Sequence, residues 1–405
     1  MKSQLFAYGF RPFFLGVGLS AVVFVPMWVA SFSFGLPLGT DWPPMLWHAH
    51  ETLFGFATAA IAGFLLTAVP SWTGQKGFAG GPLVLVSGVW LLARLIVGSS
   101  AVWPPGLVAA ADLAFLPVLV AFLAWPLIRQ RNRNTPLLLV LLVLWLCNAS
   151  FHLGLFRGDL SLARQALLTG VNVVLILVTV IGGRITPSFT TTALRARGVE
   201  GVVRSWRGMT SVTVALMIAI AVVDVVQPGG AVAGWVALAA AIAQGARLVQ
   251  WQGFRMWRNP IVWILHLAYA WLPFGLLLKA LALLAGVAAA AFWLHALTIG
   301  AIATMILGVM TRRSPAAGSP ADHIGLPAGV GGRAHARLRH MATVAQLSRV
   351  YRSKRCDVDD GVRALSLGVR ADPARTSSRR ETGLSAILPA ASISMSRSSV
   401  PRSCT

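Results

Sequence analysis

Long uncharged apolar runs, separated by short polar breaks, set the pattern of this chain. Residues 12–40, 52–75, 134–156, 165–183 and 225–246 contain no Asp, Glu, Lys or Arg. A helix needs about 20 apolar residues to cross roughly 30 Å of hydrocarbon, and these runs meet that length. The pattern predicts spans at about 13–33, 46–70, 79–98, 106–128, 136–156, 163–183, 208–226, 230–250, 260–283 and 289–310. Backbone groups in hydrocarbon must pair internally, so each run is read as a helix. A transmembrane β-barrel would show short alternating segments instead. Prolines 70, 82, 104, 105, 136, 187, 228 and 260 fall at proposed ends, whereas 26, 117 and 273 are internal and predict kinks. The fold class is therefore all-α: a polytopic transmembrane bundle of about ten spans.

Composition agrees with this reading. Hydrophobic residues make up 56% of the 405 positions, charged residues 11%, and the mean hydropathy is +0.72. A soluble protein would carry about a quarter charged residues. The three cysteines, Cys147, Cys356 and Cys404, form no CxxC pair, so neither a disulfide framework nor a thiolate zinc site is expected. The first apolar run lacks a small-residue cleavage signal and is read as a retained span.

Charge sets the orientation. Lys2, Arg11, Lys76, Arg129, Arg131, Arg133, Arg184, Arg195, Arg197, Arg204, Arg207, Arg247, Arg255 and Arg258 lie at the N-terminus and after the even-numbered spans; only Arg157 and Arg164 lie on the other side. Basic residues mark the cytoplasmic side. The N-terminus and the end of span ten are thus expected in the cytoplasm, with the lipid bilayer as the principal partner. The net charge of +22 has a second source: residues 311–405 contain 16 Lys/Arg against six Asp/Glu. That stretch is rich in Arg, Ser, Ala, Pro and Gly and contains no run long enough to span. Its composition predicts a disordered basic tail over 313–405, following a membrane domain over 1–312. It lacks the aromatic and fold signatures of nucleic-acid binders, so no nucleic-acid partner is expected.

Polar groups inside spans are costly and mark candidate sites. Five histidines qualify: His48, His50, His152, His266 and His295. The topology places His48, His50, His152 and His295 near the outer face, within roughly 10 Å of one depth at about 1.5 Å rise per residue. His266 falls in the cytoplasmic third of span nine. Imidazoles from several helices at one level are what a metal or haem site requires, although any one alone is more often a hydrogen-bonded structural residue. In Trp47-His48-Ala49-His50-Glu51, a helix would turn His48 and His50 about 200° apart, while an extended segment would point both one way. Glu51 shares a face with His48 and is a candidate ligand or orienting carboxylate. Arg94 and Lys279 lie about a turn from the outer ends of their spans. Snorkelling explains both; pairing with an anion near the histidine level is the alternative. Gly182-Gly183-Arg184-Ile185-Thr186-Pro187 reads as the end of span six, with Arg184 a further supporting cation. Aspartates 112 and 224 sit near span ends, and no carboxylate lies mid-span.

These motifs resemble one family. Arg11-Pro12-Phe13-Phe14-Leu15-Gly16, Trp47-His48-Ala49-His50-Glu51 with Phe54-Gly55-Phe56, and the run from Ala62 to Pro70 with Trp72-Thr73-Gly74 are similar to the NnrS family. So are Gly182-Gly183-Arg184-Ile185-Thr186-Pro187, His295-Ala296-Leu297, Met305 and Met310-Thr311-Arg312. The resemblance covers about residues 5–312. It implies a bacterial inner-membrane protein containing haem and copper, associated with denitrification and protection against nitric oxide, with nitric oxide or a related small ligand as partner. It supports His48, His50, His152, His266 and His295 as cofactor ligands, with His48, His50, Glu51 and His295 as metal candidates. It names no redox partner and fixes no enzymatic turnover. It also implies about twelve spans, so the polar sequence after Arg312 is a departure from the family, expected of a frame shift. Alternatives to the haem/copper reading are a metal-free carrier built as two helical halves, with a polar midplane cavity and broken helices, and a metal-free structural partner.

Two outcomes are expected. In a cysteine-free background, a membrane-impermeant thiol reagent added to intact cells labels a Ser161→Cys variant and not Ser205→Cys; the reverse pattern would invert the topology. Translating the other two frames of the gene beyond codon 312 yields two apolar spans; no such span in either frame removes the frame-shift explanation.

Overall fold

Because hydrocarbon offers the backbone no partner but itself, every membrane-crossing segment here is a helix. The computed structural model describes residues 4–199, 203 and 206–313; apart from Arg313, the tail expected from 313 onward lies outside the described residues. Among the described residues, ten helices are long and apolar enough to span: α1 Phe10–Phe34, α2 Pro44–Thr73, α3 Gly81–Gly98, α4 Pro105–Arg129, α5 Leu137–Phe156, α6 Leu160–Arg195, α7 Met209–Val226, α8 Ala231–Val249, α9 Pro260–Ala285 and α10 Ala288–Thr311. Ten were expected from the apolar runs, and the protein is a multi-pass membrane bundle. Leu15, Leu19 and Val22 on α1, and Leu91, Leu92 and Leu95 on α3, are exposed. Such apolar stripes would be anomalous in water and suit contact with acyl chains.

The helix α6 occupies the centre, touching α2, α5, α7, α9 and α10. It also departs from the sequence reading. The Gly182-Gly183-Arg184-Ile185-Thr186-Pro187 stretch was expected to end this helix, yet the helix runs on to Arg195. The wider π turn Val178–Gly182 ends on the first glycine, and α-helical winding resumes at Gly183. Pro187 removes only the bond its own N–H would make, to the residue-183 carbonyl, which a helix with other packing partners tolerates.

Two further π turns lie in α2 (Glu51–Ala57) and α10 (Ala296–Ala303), directly after His50 and His295. A π turn inserts a residue into the hydrogen-bond ladder, and such insertions concentrate at functional sites. The carbonyls they loosen find side-chain donors. Trp90 Nε1 donates to the Gly55 carbonyl at 3.0 Å. The internal Pro117 of α4 acts similarly. It leaves the Leu113 carbonyl without its usual partner, and Trp145 Nε1 fills that position at 3.0 Å.

Close helix approach depends on small residues. A Cβ on Gly63 of α2 would stand 2.9–3.0 Å from Phe14 and Phe13 of α1. At Gly154, where α5 turns into α6, it would stand 2.7 Å from the Ala163 nitrogen and 2.8 Å from the Asp159 carbonyl oxygen. The neighbours of Gly154 are backbone and cannot rotate away. Gly154→Ala is therefore expected to destabilise by about 1–3 kcal/mol despite alanine's better helix propensity. Gly88→Ala on α3, where the space is open, is expected to be neutral or slightly stabilising. Thermal unfolding midpoints of the two purified variants check the contrast; equal midpoints would refute it.

Candidate functional site

Pro43 and Pro44 start α2, with Pro44 in the first turn where no backbone N–H is needed. Pro44–His50 is α-helical, so the extended alternative for this segment does not apply. His48 and His50 accordingly face different neighbours. His48 stacks on Trp28 of α1 at 4.3 Å between ring centres, and its buried Nδ1 has no hydrogen-bond partner. Its other neighbour is His295 of α10, close enough for the two imidazoles to interact electrostatically. His295 itself is exposed.

His50 turns inward and is wholly buried. Trp42, Phe54 and Phe151 wall it at 4.7–5.1 Å between ring centres, and the His152 ring of α5 lies 5.8 Å away. Its Nδ1 sits 3.2 Å from Glu51 Oε1. Its Nε2 sits 3.0 Å from Asp112 Oδ2 of α4 and 3.1 Å from Asn148 Oδ1 of α5. His152 Nε2 approaches the same Asp112 oxygen at 2.9 Å, and Asn148 Nδ2 donates to it at 2.7 Å. One carboxylate oxygen of α4 thus gathers two imidazoles and an amide from α2 and α5.

Arg94 of α3 closes the cluster from the other side. Its Nη1 donates to Glu51 Oε1 at 2.6 Å, and its Nη2 donates to Asp112 Oδ1. Snorkelling, expected from position alone, is not what this residue does. The guanidinium is buried and bridges two buried carboxylates, because a charge inside a bundle is stabilised best by opposite charge at hydrogen-bond distance. Gly55 makes the approach possible: a Cβ there would lie 3.0 Å from Glu51 Oε2 and 3.3 Å from Arg94 Cδ. Each ring nitrogen of His50 faces a carboxylate oxygen, and only an imidazolium can donate to both, so His50 and Arg94 together match the charge of Glu51 and Asp112.

Lys279 of α9 is likewise buried rather than snorkelled. Its Nζ lies 2.6 and 2.5 Å from the two Asp224 oxygens of α7 and 4.8 Å from the Trp293 ring centre. Asn172 of α6 donates to the same carboxylate at 2.9 Å. These groups border a cavity of about 90 Å³. Arg184 is exposed and donates to Asn134 at 2.7 Å, away from the histidines. His266 stands apart from the other four, with Nε2 2.8 Å from Thr190 Oγ1 of α6.

The structure therefore groups His50, Glu51, His152 and Arg94, places His48 beside His295, and separates His266, Arg184 and Lys279. Sequence reasoning missed Asp112, Asn148 and Asp224 as participants. A signal existed: Arg94 and Asp112, on spans three and four, and Asp224 and Lys279, on spans seven and nine, are opposite charges near the outer ends of their spans. Charges in spans seek partners. The ligand atoms of His50, Asp112 and His152 all lie within 4.8 Å of one another, all three residues being buried. A second cavity, of about 80 Å³, is wholly different. It lies between α1, α2, α6 and α10, and residues such as Ala57, Ile61, Val178, Ile302 and Met305 line it without any histidine.

The bridge predicts a large mutational effect. Arg94→Gln leaves two carboxylates buried against one another, and breaking a buried pair costs about 3–5 kcal/mol. The triple variant Arg94→Gln, Glu51→Gln, Asp112→Asn is expected to recover much of that loss in thermal stability. No recovery would mean that Arg94 acts through packing rather than charge.

No curated protein and no solved structure matches the chain. The model of one family does, described as NnrS protein, over residues 4–316, a stretch that contains all ten helices and every residue of both polar clusters. On that match the chain belongs to the NnrS family.

Proposed function

We propose that this chain is a metal-binding inner-membrane protein of the nitric oxide response, holding copper between His50, His152 and Asp112. The observation that supports it best is the convergence of two imidazole nitrogens and one carboxylate oxygen within 4.8 Å in a buried site. Copper takes imidazole and carboxylate donors readily, so the donor set fits that metal. The surrounding residues have definable tasks. Glu51 faces His50 Nδ1 and fixes the ring, as second-shell carboxylates do for metal-bound histidines. Arg94 holds Glu51 and Asp112 in place, Asn148 orients the Asp112 oxygen, and Trp42, Phe54 and Phe151 exclude water. A bound copper would supply a redox-active centre to which a small diatomic such as nitric oxide could attach.

Haem is the second cofactor implied by the family resemblance. The apolar cavity between α2, α6 and α10 is lined by no histidine, and Met305 is the one lining side chain that could ligate haem iron. His48 and His295 remain the imidazoles nearest to an alternative site, with the free His48 Nδ1 in favour. The carrier reading needs a polar midplane cavity, and this apolar one gives it no support.

The purified full chain, supplied with copper and analysed for metal, tests the copper assignment. About one copper per chain is expected, with His152→Gln and Asp112→Asn lowering affinity by at least about tenfold. A nitric oxide titration is expected to change the spectrum of the copper-loaded protein and not that of the His152→Gln variant. Equal copper in wild type and both variants would remove this site.

A further inference from the structure

At the end of the bundle opposite the His50 cluster lies a second buried polar group, and here the charge does not close. Arg247, in the last turn of α8, is 1% exposed. Its Nη1 donates to the Thr179 carbonyl at 3.0 Å, Thr213 Oγ1 at 3.2 Å and Tyr269 Oη at 3.0 Å; its Nη2 donates to Thr210 Oγ1 at 3.2 Å. Each of these acceptors is neutral. Among the described residues, no carboxylate pairs with Arg247, whereas Arg94 pairs with two and Lys279, the other buried cation, with one. The helix dipole at the end of α8 offsets only part of a buried full charge.

Around this cation, buried donors lack acceptors. Arg247 Nε, Trp251 Nε1 and Thr186 Oγ1 are buried without a hydrogen-bond partner, as is His266 Nδ1. The first two can only donate, and such orphans are rare in folded interiors. They belong to one contiguous cluster. Arg247 Cζ lies 5.5 Å from the Trp251 ring centre, and Trp251 lies 4.5 Å from Tyr269 and 6.4 Å from His266. His266 joins Thr190, whose hydroxyl donates to the Thr186 carbonyl one turn earlier. Glycine lets the Arg247 and His266 side chains pack directly against backbone. A Cβ at Gly183 would stand 2.3 Å from Arg247 Nη2, and one at Gly253 2.6 Å from His266 Nδ1.

One unbalanced guanidinium, three unfilled donors and closed aromatic walls describe a receptor for a single dehydrated negative charge. We infer that Arg247, Trp251 and Thr186 form a binding site for a small inorganic monoanion of the size of chloride or nitrite. Trp251 and Tyr269 are fully buried, so a bulky organic anion is excluded. A divalent anion would leave an excess charge as large as the one it replaced. This site is independent of the copper proposal and shares no residue with it.

The test uses the full purified chain in sodium gluconate, with sodium chloride or sodium nitrite added at constant ionic strength. Either small anion is expected to raise the unfolding midpoint saturably and to change Trp251 fluorescence over the same concentration range. Ligand at 100 times its Kd favours the folded state about 100-fold. Arg247→Gln is expected to abolish both responses. Should that variant fail to fold, Thr186→Val and Trp251→Phe keep the charge and are expected to shift the midpoint response at least about tenfold higher in anion. The proposal is overturned if gluconate, chloride and nitrite give one midpoint.

Discussion

A charged group taken out of water into a bundle of apolar helices must find its opposite within the protein, and the Arg94 bridge is where this constraint acts most strongly. Arg94 on α3 joins Glu51 on α2 to Asp112 on α4, and Asp112 in turn gathers His50, Asn148 and His152. Four helices of the first half are thereby fixed in depth and rotation by a single network. Apolar packing alone could not do this, because leucine against leucine is little different from leucine against lipid. The network supplies register, and the packing follows.

The second half meets the same constraint in two ways. Lys279 and Asp224 close their charges upon each other, with Asn172 and Trp293 completing the shell. Arg247 instead distributes its donors over threonines, a tyrosine and a carbonyl. Both solutions keep the backbone helical and leave chemistry to side chains. The contrast between a closed ion pair and an open one separates groups that hold the bundle together from a group with capacity to spare.

The membrane fold was legible because hydrocarbon imposes a length and a composition that no other environment demands. Where the reading failed, the cause was local. In α6, two glycines and a proline look like a terminator, but the glycine is needed for the guanidinium of Arg247 and the proline sits in a helix supported by five neighbours. The candidate site was half legible. Histidines stand out in apolar sequence, so His50 and His152 could be named. Asp112 was passed over although the opposite charge of Arg94 on the preceding span pointed to it, since one polar residue near a span end is also compatible with the interface. For Asn148 only three-dimensional convergence tells. Position suggested snorkelling for Arg94 and Lys279, because depth alone cannot reveal an acid on another helix.

The wide turn in α2 carries a consequence for how that helix presents itself. Each such turn holds one more residue than an unbroken α-helix, which offsets everything beyond it by about 100°. Pro44–His50 and Thr58–Thr73 are therefore two helical phases joined by a one-residue step. A single helical wheel drawn through both would misplace one set of side chains against the other by that angle. Removing one residue from Glu51–Ala57 would bring the phases into line and, in doing so, swing the imidazole of His50 away from the aspartate it now meets.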